Sequence, residues 1–439
     1  MTSSDLDTLT LEHLATGERF ELWESVSITS EFLTPCDSWS LDAGAEVAGP
    51  ELATKLCRFD PSKPRAPTIQ ILVNGKPQIT GFVDECSIEV SDHGGTRVHV
   101  SGRDILGPIV SGNIDPRTPI AKETTIAKLC SLVIKEQFGY DFLITDDDRS
   151  DIAIGTSTAK KKKYESRHNR DLTIKDIKPH DSEGAFSYLS RILTHYGYWL
   201  YASPDGTSVV VSGPDYEQAP SYHLTMLRDP TGSGAGRGNN ITKAKFALKF
   251  QDQPSVVYVR GVDGGAGTKG KIVGMSVNSA QPLMVPCYIC DKNAKTKDQA
   301  ERIAQTFLAR KRKDFLVYTV TVAGFSDRTP GPTFGNVWNT NTVVQIEDEN
   351  TGTSGAMWIE SRTFRKSRQG TFTELKCIPL DSLLLDWQPG KVPPEPVPYP
   401  ITLTLTAPTA PGKTAQDYGG TIWDDVVHNS SLAYFKLKG

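Results

Sequence analysis

Residues that could do chemistry are few, and each sits in a context that argues against it. Gly265-Ala266-Gly267-Thr268-Lys269-Gly270-Lys271 opens like a phosphate-cradling loop, in which backbone amides and a final lysine meet the anion. Such a loop needs Ser or Thr next to hold magnesium, and Ile272 stands there. Lys271 also leads into Ile272-Val273-Gly274-Met275, a strand pattern, so no helix N-terminus would face a phosphate. Cys287-Tyr288-Ile289-Cys290 has redox or zinc spacing, but no second Cys or His pair lies at a plausible distance and no βαβ pattern surrounds it, so it reads as two thiols on a half-buried strand. Lys160 to Lys163, Arg167, Arg170, Lys175 and Lys178 form a basic stretch with Tyr164 as the one interleaved aromatic, which fits a solvated loop better than a nucleic-acid surface. No nucleophile elbow, His-Glu-x-x-His pair or dinucleotide fingerprint occurs. His93 and His99 are the only close histidines, and the many carboxylates single out no glycosidase-like pair. The expectation is therefore a non-enzymatic chain with no catalytic, cofactor-binding or metal-ligating residues and no small-molecule substrate.

The elements that would position any site are mostly strands. Ile69, Ile71 and Val73 alternate with Gln70 and Leu72 ahead of the hairpin dipeptide Asn74-Gly75. Phe82, Cys86, Ile88 and Val90 fall on one face of the next strand, with Glu85, Ser87 and Glu89 opposite; Val98 and Val100 share a face of a third. Ile126, Leu129, Cys130, Val133 and Ile134 recur at helical spacing behind Thr124 or Thr125 as N-cap, ending near Gly139. A second helix starts at Asp181 or Ser182 and buries Phe186, Leu189, Ile192, Leu193 and Tyr196 up to Gly197. Strands then follow at 198–201 and 208–212 around Pro204-Asp205-Gly206. Beyond 240 the strands are interrupted by one helix, with a capping box at Thr296 to Gln299 and a stripe of Ala300, Ile303, Ala304, Phe307 and Leu308.

Two segments echo one another. FVDECSIEVSDHGGTRVHV (82–100) and WIESRTFRKSRQGTFTEL (358–375) each read strand, polar turn, strand. Val83 aligns with Ile359, Ser91 with Ser367 and Gly95-Thr96 with Gly370-Thr371 once a residue is dropped in the turn. A duplication would give a β-rich α+β protein: a barrel-like antiparallel β domain over 1–105, a mixed α/β region over 106–239, and a second barrel-like domain with one helix over 240–387. The stretch from 388 is Pro-rich, with prolines at 389, 393, 394, 396, 398 and 400, and favours an extended linker. It ends in an arm carrying Trp423, Val426, Val427, Leu432, Tyr434 and Phe435, too short for a core of its own, which docks either on its own chain or on a partner.

The bulk properties agree with a globular protein. At 439 residues, 38% hydrophobic and 23% charged, the chain is expected to build two to four packed units. A formal charge of -4 gives no general attraction to nucleic acid. No apolar run approaches the roughly 18 residues of a membrane span, so no membrane binding is expected. Seven scattered cysteines fit synthesis in a reducing cytoplasm better than a disulfide framework.

One segment is familiar. An aromatic, Leu, Arg, then Gly opening an aromatic strand, here Phe186, Leu189, Arg191 and Gly197-Tyr198-Trp199, resembles the phage tail hub proteins, the family of the phage Mu baseplate hub and the late control protein D group. Asn74-Gly75-Lys76 through Gly81, then a strand and Gly102-Arg103-Asp104, is similar to the first barrel of Mu-like hubs, and the order of segments agrees from about 5 to 385. The Pro-rich tail departs from that pattern. The resemblance implies a structural hub of the virion tail baseplate, made in the host bacterial cytoplasm. Its homotrimer, with two barrel-like domains per subunit, would be a pseudo-sixfold ring adapting the hexameric tail tube protein to the trimeric central spike protein among other baseplate proteins. The alternatives are a tail-associated peptidoglycan hydrolase, which needs an added lytic domain on the order of 100 residues, and a hub component of a contractile injection system, expected to continue into repetitive β-helix.

Overall fold

The structure, a computed structural model, describes residues 7–383 apart from 22, 45–67, 93–94, 121–123, 146–177, 195–197, 217, 229–237, 262–271, 279–280, 282, 292–293, 295–296, 330–332 and 381. The glycine-rich stretch 265–271, the basic residues 160–175, His93, Gly197 and everything from 388 lie outside the described residues.

Alternating apolar residues set the N-terminal strands: β1 (Leu9–His13), β2 (Glu18–Phe20), β3 (Ser25–Glu31), β4 (Ser38–Gly44), β5 (Thr68–Val73), β6 (Lys76–Ser91) and β7 (Gly95–Asp104). Ile69, Ile71 and Val73 are fully buried, and the turn after them has positive φ at Asn74 (53°) and Gly75 (74°), as a tight hairpin requires.

A mixed region follows. It comprises α1 (Gly107–Ser111), α2 (Ile126–Cys130) running on as a π-helical turn (Ser131–Gln137), β8 (Phe142–Ile144), α3 (Ala185–Leu193), β9 (Trp199–Ala202) and β10 (Val209–Ser212). Thr125 caps α2 by accepting the Lys128 amide at 3.1 Å. The start of α3 expected at Asp181 or Ser182 moves to Ala185: Ser182 has φ 60°, outside helical geometry, and Gly184 is the N-cap with no side-chain cap. This region has its own core, including Ile126, Val133, Tyr188, Leu189 and Val211.

The C-terminal strands are β11 (Tyr222–Met226), β12 (Ile241–Leu248), β13 (Val256–Gly261), β14 (Val273–Val277), β15 (Pro286–Asp291), β16 (Leu316–Ala323), β17 (Thr342–Asp348), β18 (Thr353–Ser367) and β19 (Gly370–Ile378), with α4 (Lys297–Arg312) between β15 and β16. β13, β14 and β15 make a separate three-stranded sheet. Helix α4 lies so close over it that a Cβ at Gly274 would stand 2.1 Å from the Glu301 amide. Ala300, Ala304 and Leu308 fill the seam. Among the described residues no helix is long and apolar enough to cross a membrane.

All other N- and C-terminal strands join one 13-stranded sheet, ordered β12-β16-β19-β18-β3-β4-β7-β6-β5-β1-β2, with β17 and β11 branching from β18. It is antiparallel except where β11 runs parallel to β17. One hydrophobic core runs along it, from Leu11, Ile28 and Trp39 to Tyr318, Trp338 and Phe364. Strand thus dominates, as expected, but among the described residues the strands form this large continuous sheet, and no closed barrel is seen.

Candidate assembly interface

The sheet is a repeat. In the N-terminal half the neighbours run β3-β4-β7-β6-β5, and in the C-terminal half β12-β16-β19-β18-β17, with every pairing antiparallel. The repeat holds to the residue. β6 carries a bulge between Val83 and Glu85 against β7, and β18 carries one between Ile359 and Ser361 against β19. Val83 and Ile359 are the positions the sequence echo aligns. Past the bulge, Glu85 to Ser91 pair with Ser101 back to Gly95, and Ser361 to Ser367 with Lys376 back to Gly370. An inserted residue turns everything beyond it to the other face. Val83 and Cys86 therefore share the core side and Phe82 does not, which corrects the simple alternation expected from Phe82 onward. Cys86 is disulfide-bonded, and five other described cysteines are free.

The two halves meet where β3 pairs antiparallel with β18 beyond its bulge, Ser361 opposite Glu31 through Lys366 opposite Val26. This junction is chemically dense. Arg362 is 2% exposed; its guanidinium donates to Ser30 Oγ (2.7 Å), Gln78 Oε1 (2.6 Å) and the Trp338 carbonyl (2.8 Å) and lies 4.2 Å from the Phe364 ring centroid. Burial pulls that guanidinium down to about 10, against the field of Asp37, so it stays charged at neutral pH. Burial likewise pushes Asp37 up, opposed by a hydrogen bond with Ser30 and by Arg362. At the bulge, fully buried Glu360 pairs with Lys313 at 3.0 Å and Lys376 at 2.5 Å. Burial would lower Lys376, but the charge and hydrogen bond of Glu360, with the charges of Asp314 and Glu31, together raise it. Buried charges held this way lock a register, since loss of one partner strands the other in a low-dielectric site.

The equivalent places elsewhere in the repeat differ. Among the described residues, β6 beyond Phe82 pairs with β7 and with no strand on the side that β5 occupied; Ile88 is 49% and Val90 75% exposed. Among the described residues β12 pairs with β16 alone, and its Thr242, Lys243, Lys245 and Leu248 are exposed. Asp84, at the β6 bulge, pairs with Arg103 at the surface. Two shallow open depressions beside β3, of about 350 and about 570 Å3, are lined by Ser27, Ser40 and Arg103 and by Glu24, Asp42 and Arg368. Near them His99 Nδ1 meets Asp42 at 2.7 Å.

The familiar motif residues come together in the mixed region. Leu189 and Tyr198 are fully buried and Phe186 packs at the edge of that core. Arg191 forks onto Glu183 through Nε and Nη2, both at 2.8 Å. Although burial would raise it, those bonds hold the Glu183 carboxyl below its ordinary range. Trp199 packs towards Phe32, centroids 6.1 Å apart, and Tyr201 lies 5.2 Å from it, which docks the region against the large sheet beside Trp358. Gly197 and the arm residues Trp423, Val426, Val427, Leu432, Tyr434 and Phe435 fall outside the described residues. Cys287 and Cys290, three apart on β15, point to opposite faces of the strand. Among the described residues no group of three or more His, Cys, Asp or Glu side chains could hold a metal ion. Sequence reading did not single out Arg362 or Glu360; the available signal was a charged residue at an inward position of each echo strand.

Comparison with known proteins fits this architecture. Residues 10–104, from β1 to the end of β7, match the family described as Mu phage baseplate assembly protein GpP-like, N-terminal. The chain is similar in fold to the 43 kDa tail protein of prophage MuSo2 from Shewanella oneidensis, at 19% identity and TM-score 0.64, over 86% of this chain and 99% of that one. It is also similar to a tail protein from Neisseria meningitidis MC58, at 21% identity and TM-score 0.65, over 85% and 96%. The search of curated proteins gave no match. The likeness to phage Mu-type baseplate proteins read from the sequence is thus carried by residues 10–104, and the tail proteins share the fold over most of the chain.

Proposed function

We propose that this protein is the hub subunit of a phage tail baseplate, three copies of which close a ring with near-sixfold symmetry. One face would meet a hexameric tail tube, the other a trimeric central spike. The observation that carries this reading is the internal repeat: two modules with the same strand order, pairing and bulge in every chain. Three such chains present six near-equivalent modules, which reconciles a threefold partner with a sixfold one. The role is architectural, resting on strand pairing and buried charge rather than on a reaction. The domain limits 1–105, 106–239 and 240–387 fit this reading, and the arm beyond 388 would reach a neighbouring baseplate protein in the virion tail.

Light scattering on the purified protein, with negative-stain class averages of any oligomer, tests the proposal. A particle of about three times 48.0 kDa with six similar lobes is expected. A particle of two or four copies, or a trimer without six lobes, would contradict it.

A further inference from the structure

We propose that β12 of one copy pairs antiparallel with the bulged end of β6 of the next, in the register Glu85–Lys249, Cys86–Leu248, Ser87–Ala247, Ile88–Phe246, Glu89–Lys245 and Val90–Ala244. The inference rests on the ring reading and specifies its subunit contact. It comes from carrying the β3·β18 junction through the repeat. Val83 and Ile359 fix β6 on β18, so Glu85 takes the place of Ser361 and Val90 that of Lys366. Gly102 is opposite Val83 and Cys377 opposite Ile359, which fixes β7 on β19. Trp39 faces Gly102 and Tyr318 faces Cys377, which fixes β4 on β16. Ile28 faces Trp39 and Phe246 faces Tyr318, which fixes β3 on β12. Since Phe364 pairs with Ile28 inside the chain, Ile88 must pair with Phe246 between chains.

Nothing in this mapping uses side-chain chemistry, so the chemistry is an independent check. It places Glu85 against Lys249 and Glu89 against Lys245 on one face, and Ile88 against Phe246 and Val90 against Ala244 on the other. A one-residue slip would oppose carboxylates to apolar side chains. All four charged residues are exposed and without ion-pair partners among the described residues, and Ile88, Val90 and Leu248 are exposed apolar residues that the pairing would cover. Lysines on an edge strand deter indiscriminate pairing, and glutamates at the matching register select one partner. The contact joins two different edges of the chain, so it is head-to-tail and generates a ring if the rotation closes.

Disulfide trapping tests the register. The internal equivalent of Ser87–Ala247 is Thr363–Thr29, whose hydroxyl oxygens are 3.2 Å apart, so S87C with A247C should cross-link between copies on mild oxidation. S87C with K245C and S87C with K249C, each two residues out of register, are the controls, beside the single variants. Covalent species ending at three copies, from S87C/A247C alone, are expected. A trimer by mass that fails to cross-link, or cross-links equally in the shifted pairs, overturns the register and leaves the ring standing. A ladder running past three copies keeps the pairing and overturns the ring. A monomer without cross-link overturns both. As a second measurement, E89K and K245E should each lose association and regain it when combined; no recovery overturns the register.

Discussion

The hairpins β6–β7 and β18–β19 are built to one plan and live in different surroundings. Phe364, beyond the second bulge, is fully buried under β3, while Ile88 at the matching place is 49% exposed. The same contrast separates β3, paired on both sides, from β12, paired on one among the described residues. A protein seldom leaves a long apolar strand edge open, because it templates pairing with whatever arrives. The contrast teaches that the chain is half of a repeating contact: it makes its junction once internally and presents the two halves of another.

Removing the bulge residues should break this comparison most sharply. Deleting Glu360 slips 361–367 by one residue and turns Arg362 and Phe364 out of the core, so no cooperatively folded protein is expected by thermal unfolding. Deleting Asp84 turns the end of β6 whose Ile88 and Val90 are exposed, displacing Cys86 from the core side, and should leave a destabilised but folded protein that no longer associates by light scattering. Arg362→Ala leaves Asp37, Gln78 and the Trp338 carbonyl without their cation and should cost about 3–5 kcal/mol in urea unfolding. Phe364→Ala should cost about 3–5 kcal/mol. Its counterpart Ile88→Ala should stay within about 0.5 kcal/mol in the monomer while weakening association, which would sharpen the contrast.

Two smaller effects calibrate regions away from the junction. The Glu183 carboxyl is held below its ordinary range in the fold, so its pairing with Arg191 stabilises at neutral pH. That contribution fades as pH falls through the lowered value. Glu183→Gln should therefore show a shallower acid-side loss of stability, followed by denaturant midpoint against pH, without altering assembly. Gly75→Ala forces a side chain into φ 74° and should cost about 1 kcal/mol, read as a few degrees in Tm.

Local chemistry was legible and long-range pairing was not. Asn74-Gly75 announced its turn and the Ala300–Leu308 stripe its helix, because turn φ values and helical periodicity are written over a few residues. The echo of Val83 with Ile359 was readable at low similarity. Its bulge was hidden, because an inserted Asp84 or Glu360 looks like ordinary alternation until the opposite strand is known. The meeting of β3 with β18 spans more than three hundred residues and leaves no local mark. The helix start expected at Asp181 or Ser182 comes later, at Ala185, because Ser182 takes a positive φ that ends helical geometry there.

Hydrogen exchange on the chain at low and high concentration tests the central claim most directly. Amides at 26–31 and 361–366 should be protected at every concentration, and those of β12 and of Glu85 to Ser91 should gain protection together as oligomer forms. An oligomer whose β12 and β6 amides go on exchanging freely would contradict the account.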